Sequence, residues 1–105
     1  MVSSMVDRQA SVDPNRLIHE PGRLAALVVL HAVEEADFLF LMDQTGLTKG
    51  NLSSHTAKLE AAGYVEIEKG FVGKVPRTIY RLTKTGATAL QQYRDHMVGL
   101  LESIG

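Results

Sequence analysis

The sequence predicts a mainly helical α+β domain, and three observations predict it. The middle of the chain holds a turn followed at once by a helix start, Gly46-Leu47-Thr48-Lys49-Gly50-Asn51-Leu52-Ser53-Ser54-His55. Two short stretches of alternating apolar and polar residues come next, Tyr64 to Lys69 and Thr78 to Leu82, separated by a segment with glycine and proline. Residues 84–105 then carry apolar side chains at a three-four spacing. At 105 residues the chain is long enough for one domain and too short for two.

Taken in order, residues 1–13 mix Ser, Asp, Arg and Gln without a periodic apolar face, and a flexible tail is expected there. Pro14 to His19 reads as a short helical turn that docks Leu17 and Ile18. Pro21 suits a first helical turn, where a missing N–H costs nothing. It opens a helix to about Val33, whose buried side is expected to carry Leu24, Leu27, Val28 and Leu30, with His31 close by and partly buried. Glu34 and Glu35 end it on the solvent side. Ala36-Asp37 is a link, a short extended bridge, and Asp37 caps a second helix from Phe38 to about Thr45. Phe38, Leu41 and Met42 face inward there. Gly46 ends that helix in the left-handed conformation, and Leu47 plugs the turn.

Thr48 is the expected N-cap of the next helix, Lys49 to about Ala62. At 100° per residue, Leu52, Thr56, Leu59 and Gly63 share one side, and Gly50, Ser54, Ala57 and Ala61 lie opposite. Thr56 interrupts the buried stripe, so its hydroxyl needs a partner, such as the carbonyl one turn earlier. Gly63 suits the C′ position. Beyond it, Val65 and Ile67 alternate with Glu66 and Glu68, and Tyr80 and Leu82 alternate with Ile79 and Arg81. Gly70 to Arg77 between them predicts a hairpin with a long flexible tip. Thr83 caps a last helix, Lys84 to about Ser103. Leu90, Tyr93, Met97, Leu100 and Ile104 form a heptad seam on it, a narrow stripe that suits pairing with a second copy of the chain.

The first turns of the central helix are bare for a helix that only packs into a core. Small and polar residues there leave room for the major groove of DNA, so the pattern reads as the recognition helix of a helix-turn-helix. Charge agrees. The chain carries a net charge of −1, but residues 48–81 hold Lys49, Lys58, Lys69, Lys74, Arg77 and Arg81 against Glu60, Glu66 and Glu68. That third is positive on an otherwise acidic chain, which suits one DNA-facing surface. Lys69, Lys74 and Arg77 cluster on the hairpin, able to reach backbone phosphate or the adjacent minor groove.

Several classes are excluded. Cysteine is absent, which removes disulfides and thiolate zinc sites and fits a reducing cytoplasm. No apolar run approaches a membrane span, and no signal-peptide pattern opens the chain. His19, His31, His55 and His96 are scattered, so no metal is expected. Gly70-Phe71-Val72-Gly73 lacks the lysine and context of a phosphate loop, and no nucleophile motif is present. No enzyme and no cofactor are expected.

The segments QTGLTKGNLSSHTAKLEAAGYVEIEK and GKVPRTIYRLTKTG resemble the winged-helix transcription regulators of the MarR/ArsR-like group, most of all its short single-domain members. The resemblance covers about residues 16–93. It implies a winged helix-turn-helix domain over 14–83, with a two-stranded wing, and a C-terminal dimerisation helix over 84–105. It implies that Thr48 and Lys49 hold phosphate at the helix N-terminus, that Asn51, Ser53 and Ser54 approach bases or phosphates, and that His55 sits at the protein–DNA edge. Lys58 would meet phosphate, with Lys69, Lys74 and Arg77 as wing contacts. The expected partners are double-stranded DNA with a pseudo-palindromic operator and a second copy of the chain. The expected role is a cytoplasmic, sequence-specific repressor; a winged helix used purely for protein interaction is the alternative. The larger members enclose aromatic ligands with long extra helices, for which residues 1–20 and 94–105 leave little material, and the sequence names no effector.

Overall fold

A computed structural model describes residues 14–105; the predicted tail, 1–13, lies outside the described residues. The elements run α1 (Pro14–Ile18), α2 (Pro21–Val33), β1 (Glu35–Asp37), α3 (Phe38–Thr45), α4 (Lys49–Ala61), β2 (Val65–Val72), β3 (Val75–Leu82) and α5 (Lys84–Glu102). This is the mainly helical α+β winged helix-turn-helix that the sequence predicts.

Local chemistry sets the helix boundaries. The Glu20 carboxylate accepts from the Arg23 N–H at 2.8 Å, and Pro21 occupies the first turn of α2. Asp37 caps α3 through the Phe40 N–H at 2.8 Å. Gly46, with φ of 71°, closes α3 in the left-handed region. Thr48 accepts from the Asn51 N–H at 3.2 Å to open α4, and Gly63, with φ of 80°, follows its end. Thr83 caps α5 through the Gly86 N–H at 3.0 Å, while its hydroxyl donates to the Gly63 carbonyl at 2.6 Å. One threonine thus ties the exit of α4 to the start of α5.

Burial follows helical geometry with two corrections. Ile18, Leu27, Leu30, Leu41, Leu52 and Leu59 are fully buried in one core, joined by Val65 and Tyr80 from the sheet. On α2, Ala26 takes the buried place expected for Val28, which is 52% exposed. His31 is exposed as well. The helix turns Gly22, Ala26, Leu27 and Leu30 inward, one position round from the expected stripe. Small residues at 22 and 26 let it pack closely, a signal that a count of large apolar residues passes over.

The sheet is antiparallel, in the order β1-β3-β2. The bridge expected at Ala36-Asp37 is a true edge strand, pairing Glu35, Ala36 and Asp37 with Arg81, Tyr80 and Ile79. The hairpin is longer than expected and its tip tighter. Pairing continues to Val72 opposite Val75, leaving Gly73 and Lys74 as a two-residue turn. Gly73 has φ of 63°, as the first central position of a II′ turn requires, and the β-branched valines favour extension. Pro76 does not break β3, because β1 pairs only with 79–81 and the outer side of the strand is open there.

The seam on α5 divides. Tyr93 is 7% exposed within its own domain, its hydroxyl 2.6 Å from Nδ1 of His19, and Leu90 and Met97 pack against the same core. Leu100 is 51% exposed, and Ile104 lies past the helix end. Tyr93 is therefore a link from α5 to the turn after α1 within one chain rather than part of a free seam.

Candidate nucleic-acid interface

The buried stripe of α4 fixes what the helix can present. Leu52, Thr56 and Leu59 anchor it, and Thr56 meets its polar requirement by donating to the Leu52 carbonyl at 2.8 Å. Burial pushes the Tyr80 phenol up, partly countered by its hydrogen bond with Thr56. A hydroxyl in the stripe thereby joins α4 to the sheet, where a leucine would only fill space.

Opposite that stripe, Gly50, Ser54, Ala57 and Ala61 are exposed and nearly flat. Asn51 and Lys58 stand exposed along one edge, Lys49 and Ser53 along the other. Thr48 is exposed beside them with its hydroxyl engaged in the cap. Lys49 and Ser53 face a groove between α4 and the wing, whose far wall includes Lys69, Pro76 and Thr78. Lys74 is at the turn. Arg77 is half exposed, with Asp37 at 3.8 Å. The structure thus gathers nine of the ten predicted contact residues along α4 and the adjoining hairpin.

His55 is the exception. Its ring lies between α4 and the start of α2, 16% exposed, with Nε2 3.4 Å from Glu20 and Nδ1 3.3 Å from Arg23. Arg23 in turn donates to the Leu17 carbonyl at 2.6 Å. The edge position expected for His55 is corrected to a brace that holds the helix. Burial alone would raise the Glu20 carboxyl; the Arg23 and Gly22 N–H groups, with the charges of His55 and Arg23, outweigh it and hold Glu20 below its ordinary value.

Arg81, counted in the positive third, is spent elsewhere. It bonds Glu68 at 2.7 Å and Glu35 at 3.2 Å, lashing β2 and β1 to β3, and these bonds raise its pKa. Sequence reasoning passed over Phe38 and Leu39, which also line the groove, Leu39 with 69% exposure. In the sequence they are simply the apolar start of a helix. Glu60, the one carboxylate in the groove wall, was also passed over.

A shallow helix face beside a two-stranded hairpin, both edged with cations, matches a known domain type. Residues 23–101 match the family model described as a winged helix DNA-binding domain. The chain belongs to this family. An uncharacterized protein of Methanocaldococcus jannaschii is 33% identical over 89 residues, covering 85% of this chain and 97% of that protein. The structure of a transcriptional regulator homologue from Pyrococcus horikoshii OT3 superposes with a TM-score of 0.79 at 26% identity, over 85% of this chain and 88% of that one. The transcriptional repressor BigR from Xylella fastidiosa gives 0.65 at 25% identity, over 90% and 91%. The winged helix is thus of the transcription-regulator type, and the family is one of DNA-binding proteins, not enzymes. Among the described residues, no helix is long and apolar enough to cross a membrane.

Proposed function

We propose that this winged helix is a homodimeric, sequence-specific repressor. The bare, polar outer face of α4 beside a basic wing carries the reading. α4 enters the major groove with Asn51 and Ser54 toward base edges. Lys49, Lys58, Lys69, Lys74 and Arg77 meet phosphates on both sides of it, and none of the four lysines has an ion-pair partner among the described residues. Val98, Leu100 and Leu101, exposed on the last turns of α5, supply the surface that a second copy covers. Two copies place their α4 helices in successive major grooves, about 34–36 Å apart, over a pseudo-palindromic operator, and occlude the promoter.

The test is fluorescence-anisotropy binding to the promoter region of its own gene and to a random duplex, across a salt series. A clear preference for the promoter, with a steep negative salt slope, is expected. Lys74→Ala with Arg77→Ala weakens both duplexes alike and flattens the slope by about 3.6 per dimer, from two phosphates per chain. Asn51→Ala with Ser54→Ala weakens the promoter duplex selectively. Equal losses on both duplexes from both pairs would defeat this division of roles.

A further inference from the structure

The far end of the wing is unlike the rest of the positive face. Phe71 is 73% exposed, Val72 56% and Val75 66%, in a hairpin whose two-residue turn is permitted by the positive φ of Gly73. The register sets Phe71 opposite Pro76 and Val72 opposite Val75, so the tip is apolar on both faces. Four apolar side chains at the end of a two-stranded arm are more than strand formation needs, and among the described residues none of the four is buried.

The surroundings of the tip specify its occupant. Lys69, Lys74 and Arg77 lie along the hairpin beside the tip; of the acids near them, Glu68 is bonded to Arg81 at 2.7 Å and Asp37 lies 3.8 Å from Arg77. An apolar point girdled by cations complements a polyanion with an apolar interior. The tip also continues the wall of the groove that Lys49 and Ser53 share with Lys69 and Pro76. An eight-residue strand reaches about 26 Å, enough to pass from a helix seated in the major groove across one phosphate strand. Beyond that strand lies the minor groove, where apolar side chains wedge between base steps and kink the duplex.

We propose that the wing tip is an apolar wedge: Phe71, backed by Pro76 on the same face of the hairpin, enters the minor groove, unstacks one base step and bends the DNA, while Lys69, Lys74 and Arg77 hold the flanking phosphates. The proposal rests on the DNA-binding reading of α4 and adds a mechanical role to its wing. It also predicts a sequence preference away from the α4 contacts, for flexible pyrimidine–purine steps, read as deformation energy.

The experiment uses the whole chain and a duplex of roughly 30 base pairs with a TA step under the expected wing position. The duplex carries dyes at its ends for bending and 2-aminopurine beside the step for unstacking. Wild type is expected to shorten the end-to-end distance and raise 2-aminopurine emission at saturation. Phe71→Ala is expected to bind about tenfold more weakly and leave the step stacked. Phe71→Lys separates wedge from charge: it adds a cation yet should not bend the duplex. Circular dichroism checks that both variants, changed at an exposed position, stay folded. Equal bending and emission in wild type and Phe71→Ala, or tighter binding with unchanged bending in Phe71→Lys, would overturn the wedge and leave the DNA-binding reading standing. Folded protein that binds no duplex even at low salt would overturn both. Capture of wild type but not Phe71→Ala by phosphatidylserine vesicles, with no unstacking of duplex, would reassign the tip to a lipid surface.

Discussion

The proposed recognition helix, α4, and the wing carry cations to the same groove, but they are held in opposite ways. α4 is fixed along its length: Leu52 and Leu59 are fully buried, Thr56 is 1% exposed, and His55 is clamped between Glu20 and Arg23. The wing is anchored near its base, where Val65 and Tyr80 are buried and Ile67 and Leu82 pack on the core, and every residue from Glu68 to Arg77 is exposed. The helix presents a surface whose register is set by the core. The hairpin presents reach, stiffened by its own ladder and turn. Reading base edges needs the first kind of support, and gripping phosphate and groove walls tolerates the second.

The largest effects should fall on the anchored side. Leu52→Ala opens a cavity under α4 and is expected to cost about 2–5 kcal/mol. Val72→Ala, at the exposed tip, should stay within about 0.5 kcal/mol. Urea unfolding of both variants checks this, and similar losses would break the contrast.

An intermediate effect is expected where the two regions join. Gly86, at the start of α5, packs so closely on the link between α4 and β2 that a methyl group would fall on the Tyr64 carbonyl oxygen. Backbone cannot swing aside as a side chain can, so Gly86→Ala should cost about 1–3 kcal/mol. Gly50 is the counterpart on the outer face of α4 proposed to meet DNA, with open space around it. Gly50→Ala should raise stability by about 0.5–1 kcal/mol, by favouring the helix, while lowering duplex affinity, because the methyl stands where DNA must approach. Thermal melting and anisotropy on the same samples separate the two. A stabilised Gly50→Ala with undiminished affinity would move the DNA face elsewhere on the helix.

Much of this arrangement was legible in the sequence because it depends on local rules. The caps at Asp37, Thr48 and Thr83, the left-handed Gly46 and Gly63, and the buried trio of α4 each follow from a few neighbouring residues. The same rules misjudged the hairpin tip, because glycine and proline mark loops as often as a II′ turn or an open strand side. His55 was misplaced for a different reason. Helical angle puts it beside Asn51 and Lys58 at the edge, and only the approach of Glu20 and Arg23, more than thirty positions away, turns it inward. The seam on α5 misled in the same way: Tyr93 shows period but not His19, just beyond α1, that it meets.

The smallest expected effect tests that inward turn and so sharpens the contrast furthest. Glu20 has its carboxyl held below the ordinary 4.5, so in the folded chain it resists protonation. Its contribution to stability is therefore fully present above pH 4.5 and is lost as the pH falls through the lower folded value. Glu20→Gln keeps an oxygen for the Arg23 N–H but removes the charge that faces His55. The stability gap between wild type and variant, read from urea midpoints, should be open near neutral pH and close as the pH falls below 4.5 and through the lower folded value. A gap that stays constant across that range would assign the loss to shape rather than charge. Hydrogen exchange adds the spatial half of the test. Amides of α4 around His55 should exchange faster in Glu20→Gln, and those of β2 and β3 should not, because the brace touches the helix and leaves the wing to its own ladder.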